Sequence, residues 1–142
     1  MTKPNPSAVA ERLHSASIRL LRRVRAADVE SGLSGPKLSA LSVLTFGGAS
    51  SLSVLARAEQ VRAPTMSKLV AGLQADGLVA KRADRADKRG VRIEVTAKGR
   101  ALMEHGRKRR LALLRKRFGG LTRTELETLS SAAELMLRVA SE

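Results

Sequence analysis

Cysteine, tryptophan and tyrosine are all absent from this 142-residue chain. Without cysteine there is no disulfide framework, no thiolate zinc site and no thiol redox switch. The aromatic side chains are Phe46 and Phe118 alone. Binders of single strands and RNA stack bases on aromatic rings, so the chain lacks their main tool, and duplex DNA becomes the better nucleic-acid partner. No apolar run approaches the roughly 18 residues that a membrane span needs. The opening MTKPNPSAVAERLHS has no apolar stretch of the secretory kind. A cytoplasmic location and no membrane partner are expected. His14 and His105 lie far apart in sequence, so no metal is expected either. There is no Gly-rich phosphate loop and no Ser-His-Asp order with supporting turns, and the carboxylates fall in caps and turns. An enzyme is not expected, and no cofactor.

Acid is scarce as well. Lys and Arg number 27 against 13 Asp and Glu, a net charge of +14. Such an excess adds nothing to a core; it favours polyanionic partners. It is also unevenly placed: Leu78 to Phe118 holds 15 basic and 4 acidic residues, Leu121 to Glu142 only 2 basic and 4 acidic. A concentrated positive field suits a binding face better than a general solubility device. The 43% hydrophobic content is that of a folded chain, and the length fits one domain with a real core.

After Pro4 and Pro6, Ser7 is the expected cap of a first helix. In it Val9, Leu13, Ala16, Leu20, Val24 and Ala27 recur every three or four residues. This long, near-heptad stripe asks for a helical partner, which a second copy of the chain would supply. Ser34 and Pro36 open a second helix, with Leu38, Leu41, Val43 and Leu44 apolar and Gly47-Gly48 as its stop. A short helix follows, capped by Ser51 or Ser53, with Leu52, Leu55 and Ala56 inward. About three residues later, Pro64 opens a helix whose Met66, Leu69, Val70 and Leu73 share one face, and Gly77 ends it. The spacing is that of a helix-turn-helix.

The hydrophobic period then changes from 3.6 to 2. LVAKR predicts one strand, ADRADKRG a turn with Gly90 at positive φ, and VRIEVT a second strand with Val91, Ile93 and Val95 inward and Arg92 and Glu94 outward. Thr96 caps a long helix to about Phe118, with Leu111, Leu114 and Phe118 inward, and Gly119-Gly120 ends it. Thr122 and Glu125 form a capping box for the last amphipathic helix.

The order is helix, helix, short helix, recognition-like helix, two-stranded wing, then two long helices. Within it stand Pro-Thr-x-Ser-basic-Leu-Val, Gly-Leu-Val, Asp-x-x-Asp-basic-Arg and Val-Thr-x-x-Gly. This pattern resembles the DNA-binding core of the MarR family of winged-helix regulators, and the flanking helices match in number. There are departures. Glu59 and Gln60 stand where relatives often carry Leu-Gly, and Arg62 and Ala63 replace the usual Ser or Thr near the recognition-helix start. They bear on the turn and the cap rather than on the fold.

The expected fold is thus mainly α with a small β-wing (α+β), a winged helix-turn-helix flanked by N- and C-terminal dimerisation helices. The segments are 1–30 for the first dimerisation helix, 34–96 for the DNA-binding lobe (recognition helix about 63–76, wing about 78–96) and 97–142 for the C-terminal helices. Val9, Leu13, Ala16 and Leu20 at one end and Leu129, Met136 and Ala140 at the other are the expected homodimer interface. On the recognition helix Pro64, Thr65, Ser67 and Lys68 turn outward, with short side chains that let the backbone approach a base edge. Arg62 sits at the turn, placed for phosphate. In the wing, Arg85, Lys88 and Arg89 are candidates for a minor groove about 6 Å wide, with Arg89 favoured, while Asp84 and Asp87 brace the tip. The basic run 107–117 reads as a solvated helix face that adds to the long-range field. The resemblance implies a ligand-responsive, dimeric repressor on a pseudo-palindromic operator. It also implies an effector, often an anionic aromatic, bound between the dimer helices and the DNA-binding lobe; Arg19, Arg22 and Arg23 of the first helix are the candidates to meet such an anion. The alternatives are an architectural DNA binder that uses charge alone and a basic adaptor for RNA or acidic proteins. The specific face of the recognition helix speaks against the first, the scarcity of aromatics against binding RNA.

Overall fold

The computed structural model describes residues 3–87 and 90–141, the side chains of 28–30 aside. The elements are α1 (Pro6–Arg25), a 3-10 segment (Ala26–Ser31), α2 (Gly35–Gly47), α3 (Leu52–Ala58), α4 (Ala63–Ala75), β1 (Val79–Ala83), β2 (Val91–Val95), α5 (Ala97–Phe118) and α6 (Arg123–Ala140). They divide into two compact units, one of Ala26–Lys108 and the other of Met1–Arg25 with Arg109–Glu142.

The first unit carries the hydrophobic core. Leu41 and Leu44 of α2, Leu55 of α3, Met66, Val70 and Leu73 of α4, Leu78, Val79 and Ile93 of the hairpin and Met103 of α5 are all buried. Local signals set the boundaries. The Ser34 hydroxyl accepts from Lys37 N–H (3.4 Å), Pro36 sits in the first turn, and α2 ends at Gly48. The Thr45 hydroxyl, the polar group in this core, donates back to the Leu41 carbonyl at 2.7 Å. Ser51, not Ser53, caps α3 by accepting from Val54 N–H (3.3 Å).

Four residues, Glu59 to Arg62, join α3 to α4. Gln60 takes φ 55°, the left-handed region that glycine enters without a Cβ penalty. Arg62 holds the N-cap position of α4 without a side-chain cap bond. The other end of α4 is fully closed. Gly77 N–H bonds to the Gln74 carbonyl (3.0 Å) and Leu78 N–H reaches back to Leu73 (2.9 Å), with Gly77 at φ 73°.

The hairpin β1–β2 is antiparallel, in a register that pairs Val79 with Val95 and Lys81 with Ile93. Ile93 is buried and Val95 packs against the core, but Val91 is half exposed, a correction to the expected inward set: it pairs with Ala83 at the outer end of the hairpin, past the last core residue. Ser50 adds a third, single-residue strand by exchanging backbone bonds with Ile93 (2.8 and 3.1 Å).

Hairpin and α5 meet the end of α4 at one junction. Thr96 N–H donates to the Leu78 carbonyl (3.0 Å), its hydroxyl donates to the Gly77 carbonyl (2.6 Å) and accepts from Gly99 N–H (3.1 Å). Lys98 Nζ donates to the Asp76 carbonyl (2.9 Å), a cation on the carbonyl end of α4. The backbones touch here because Gly99 has no side chain. A Cβ would overlap the Leu78 carbonyl oxygen and stand 2.8 Å from Val95 Cγ2.

The second unit contains α1, α6 and the end of α5. Asn5, rather than Ser7, caps α1: its Oδ1 accepts from Ala8 N–H (2.8 Å), so Pro6 takes the first helical position and Ser7 lies inside. The helix ends at Arg25, which leaves Ala27 of the expected stripe in the 3-10 segment. No residue of α1 or α6 is buried. Leu111 is likewise exposed, against expectation, while Leu114 and Phe118 are half-buried. The capping box of α6 is complete: Thr122 Oγ1 accepts from Glu125 N–H (3.3 Å), and Glu125 Oε2 accepts from Thr122 N–H (2.8 Å) and hydroxyl (2.9 Å). These bonds, the backbone one foremost, hold the Glu125 carboxyl below its ordinary value. Their contribution to the start of α6 is present above the ordinary carboxylate range and lost as pH falls through the lowered value.

Two substitutions test this reading. Gly99→Ala is expected to cost about 3 kcal/mol, because backbone rather than a flexible side chain must move, and denaturant titration reads the loss. Gln60→Gly is expected to stabilise by about 0.5–1 kcal/mol, relief of the left-handed strain exceeding the added unfolded-state freedom. A destabilised Gln60→Gly protein would show that the turn is not strained.

Candidate nucleic-acid interface

Burial of Met66, Val70 and Leu73 fixes which way α4 faces. Pro64, Thr65, Ser67 and Lys68 are exposed, as expected from the wheel, and Ala71 and Gln74 continue the same face. Gln74 lies seven residues after Ser67, two turns along the outward stripe, so its place on this face was legible in the sequence. Lys68 and Arg62 have no carboxylate within 4.0 Å among the described residues, so neither cation is neutralised within the lobe. Arg57, exposed on the last turn of α3, adds a third positive charge that sequence reasoning passed over. The first turn of α4 carries no acidic residue, so its free N–H groups and positive dipole end face solvent unopposed, a ready site for phosphate.

Behind α4, Lys37 of α2 reaches across Gly72 to pair with Asp76 (3.0 Å). This bond ties the recognition-like helix to the helix beneath it.

The wing turn is braced by the Asp84 side chain and by backbone bonds. Asp84 Oδ1 accepts from Ala86 N–H (3.0 Å), and its backbone N–H donates to the Gly90 carbonyl (2.9 Å). Gly90 N–H in turn donates to the Asp87 carbonyl (2.9 Å). A Cβ on Gly90 would stand 3.2 Å from Asp84 Cβ and 3.3 Å from the Asp87 carbonyl oxygen, so close approach is a visible reason for glycine here. Its expected positive φ depends on the preceding peptide and lies outside the described residues. Arg85 and Asp87 are exposed at the tip; Lys88 and Arg89, the favoured groove residue among them, lie outside the described residues. On the strands, Arg82 pairs with Glu94 (2.7 Å), and Arg92 faces Asp84 at 3.9 Å while donating to the Ala49 carbonyl. Sequence reasoning treated Arg92 only as an outward strand position.

The remaining candidates fall in the other unit. Arg19, Arg22 and Arg23 are exposed on α1, with Arg22, Arg23 and Arg25 in its last turn, where cations complement the helix dipole. Val9, Leu13, Ala16 and Leu20 on α1 and Leu129, Met136 and Ala140 on α6 are all exposed. Among the described residues no group of His and carboxylate side chains is arranged to hold a metal, and no helix is long and apolar enough to cross a membrane.

Comparison with known proteins agrees with this geometry. The MarR family model matches residues 31–90, which run from α2 through α4, β1 and the wing turn and stop just before β2. An HTH-type transcriptional regulator of Mycobacterium bovis is 36% identical over 94% of each chain, and one of Mycobacterium leprae is 33% identical over the same shares. Among solved structures, a MarR family protein of Bacillus stearothermophilus superposes with a TM-score of 0.85 at 22% identity, covering 99% of this chain and 100% of the other. BpsR of Bordetella bronchiseptica, whose DNA binding is described as regulated by 6-hydroxynicotinic acid, has a TM-score of 0.65 at 27% identity, with 99% of each chain covered. These relatives are regulators rather than enzymes. The outward face of α4, the braced wing beside it and these relatives together place the chain in the MarR family of winged-helix, DNA-binding transcriptional regulators.

Proposed function

We propose that the protein is a homodimeric, ligand-responsive repressor that binds a pseudo-palindromic operator in the cytoplasm. The observation that carries the DNA-reading part is the outward face of α4: short side chains at Pro64, Thr65 and Ser67 beside one unneutralised cation, Lys68. The short residues let the helix enter the major groove, where Ser and Thr hydroxyls bond base edges and the Thr65 methyl meets a thymine methyl. Arg62 and the N–H groups of the first turn take phosphate. Arg85, Lys88 and Arg89 of the wing serve the flanking minor groove, with Asp87 holding an arginine extended.

The dimer part is supported by α1 and α6. Their apolar residues, Val9, Leu13, Leu20, Leu129 and Met136 among them, are exposed and find no core in this chain. Helices with apolar stripes at this spacing bury them against another helix, and a two-fold copy does so symmetrically. Two recognition helices about one helical turn (~10 bp) apart then read two half-sites. The effector part leans on the relative whose DNA binding is tied to 6-hydroxynicotinic acid. A small aromatic anion of that kind would be met by Arg19, Arg22 and Arg23.

Selection from random duplexes tests the reading. An enriched palindrome with half-sites about 10 bp apart is expected. Lys68→Ala should then alter the selected bases as well as weaken binding, by about 1–3 kcal/mol at the position that Lys68 reads. Binding without any enriched sequence would leave only the charge-driven architectural role. A uniform loss across all sequences would demote Lys68 to a phosphate contact.

A further inference from the structure

Arg92 stands where three segments of the lobe meet. In the hairpin register it lies directly opposite Arg82. Like charges at opposed positions destabilise a strand pair, and each arginine here is neutralised on a diagonal. Arg82 Nε donates to Glu94 Oε1 (2.7 Å), and Arg92 Nη1 lies 3.9 Å from Asp84 Oδ2. The other terminal nitrogen of Arg92, Nη2, donates to the Ala49 carbonyl. The next residue, Ile93, exchanges both of its backbone bonds with Ser50. Ala49 and Ser50 lead directly into Ser51, the N-cap of α3. One guanidinium therefore grips the wing's turn through Asp84 and the entry to the helix-turn-helix through Ala49.

We infer that Arg92 is a positioning residue that sets the angle of the wing against the helix-turn-helix, and thereby decides whether the wing arginines reach the groove flanking the bases read by α4. The inference rests on the DNA-binding reading above and adds to it a determinant of flank specificity. The chemistry requires arginine. A planar guanidinium donates to the Ala49 carbonyl through one terminal nitrogen in a fixed direction while the other stays in ion-pair range of Asp84, whereas an ammonium is a single point charge on a flexible stem. Asp84 is already committed by its Oδ1 bond to Ala86 N–H and its backbone bond to Gly90, so the Arg92 contact acts on a turn that is otherwise closed. Losing it shifts the outer end of the hairpin, whose inner end stays fixed by the Ser50–Ile93 bonds, rather than unravelling its tip. A direct phosphate contact would behave differently, since lysine serves phosphate nearly as well.

The test uses the full chain with Arg92→Lys and Arg92→Gln on the duplex that wild type selects, flanked by A·T-rich or by G·C-rich steps. Affinities are read at several salt concentrations, with thermal midpoints alongside. Both variants are expected to bind the A·T-flanked duplex about tenfold more weakly and the G·C-flanked duplex within about twofold of wild type. Base preference under α4 should be retained, and midpoints should stay within about 5 °C, because a partly exposed pair contributes little to global stability. Wild-type behaviour of Arg92→Lys would overturn the inference, since charge alone would then suffice. Equal losses on both flanks, with the slope of log affinity against log salt reduced by about 0.9, would overturn it in favour of a phosphate contact. Unchanged binding by both variants removes Arg92 from the mechanism while the proposed function stands. A wild-type protein that selects no duplex defeats the proposed function and this inference together.

Discussion

The lobe depends on a backbone-to-backbone contact between the end of α4 and the first turn of α5. Gly99 lies against the Leu78 carbonyl, the Thr96 hydroxyl spans Gly77 and Gly99, and Lys98 covers the Asp76 carbonyl. Each neutral bond contributes about 0.5–1.5 kcal/mol net, but leaving these carbonyls unpaired at a partly buried seam costs more. The closure means that α4 cannot turn without moving the strand that follows it. A recognition helix and a wing built this way present one rigid surface, which lets short side chains on α4 act at the spacing of base edges.

Charge and apolar surface are used in different places. In the lobe, apolar residues are spent on one contiguous core under α4, and the cations left outside it, Arg57, Arg62, Lys68 and Arg85, are exposed. In α1 and α6 the reverse holds: the apolar residues themselves are exposed, with Leu137 and Val139 of α6 each 70% exposed. The proposed dimer gives this exposed apolar surface a partner. The lobe has its core within one chain; in the proposed dimer α1 and α6 would gain theirs from a second copy.

Much of this was legible in the sequence because the signals are local. Ser34, Ser51, Thr96 and the Thr122–Glu125 box cap helices through side-chain oxygens three residues from the N–H groups that donate to them, and the change of hydrophobic period at Leu78 marks the wing. What escaped depends on tertiary or competing local choices. Asn5 and Ser7 both could cap α1, and Pro6 decides for Asn5 because its fixed φ suits the first helical position. Val91 keeps the strand alternation yet is exposed, since periodicity gives the face and not how far the core extends beneath it. Leu111 fails for the same reason on a helix. Gln60 adopts a backbone that its side chain disfavours, imposed by Val61 N–H bonding to the Ala56 carbonyl (3.0 Å) as Val61 packs against the core. The role of Arg92 could not be read at all: its carbonyl partner lies 43 residues away, and carbonyls have no sequence signature.

The most direct measurement is amide hydrogen exchange of the full chain with and without the duplex that it selects. If α4 and the wing form the reading surface, added protection concentrates at residues 62–68 and 84–92, while the core amides of α2 stay as they were. Protection confined to the basic run 107–117, with those two segments unchanged, would contradict it.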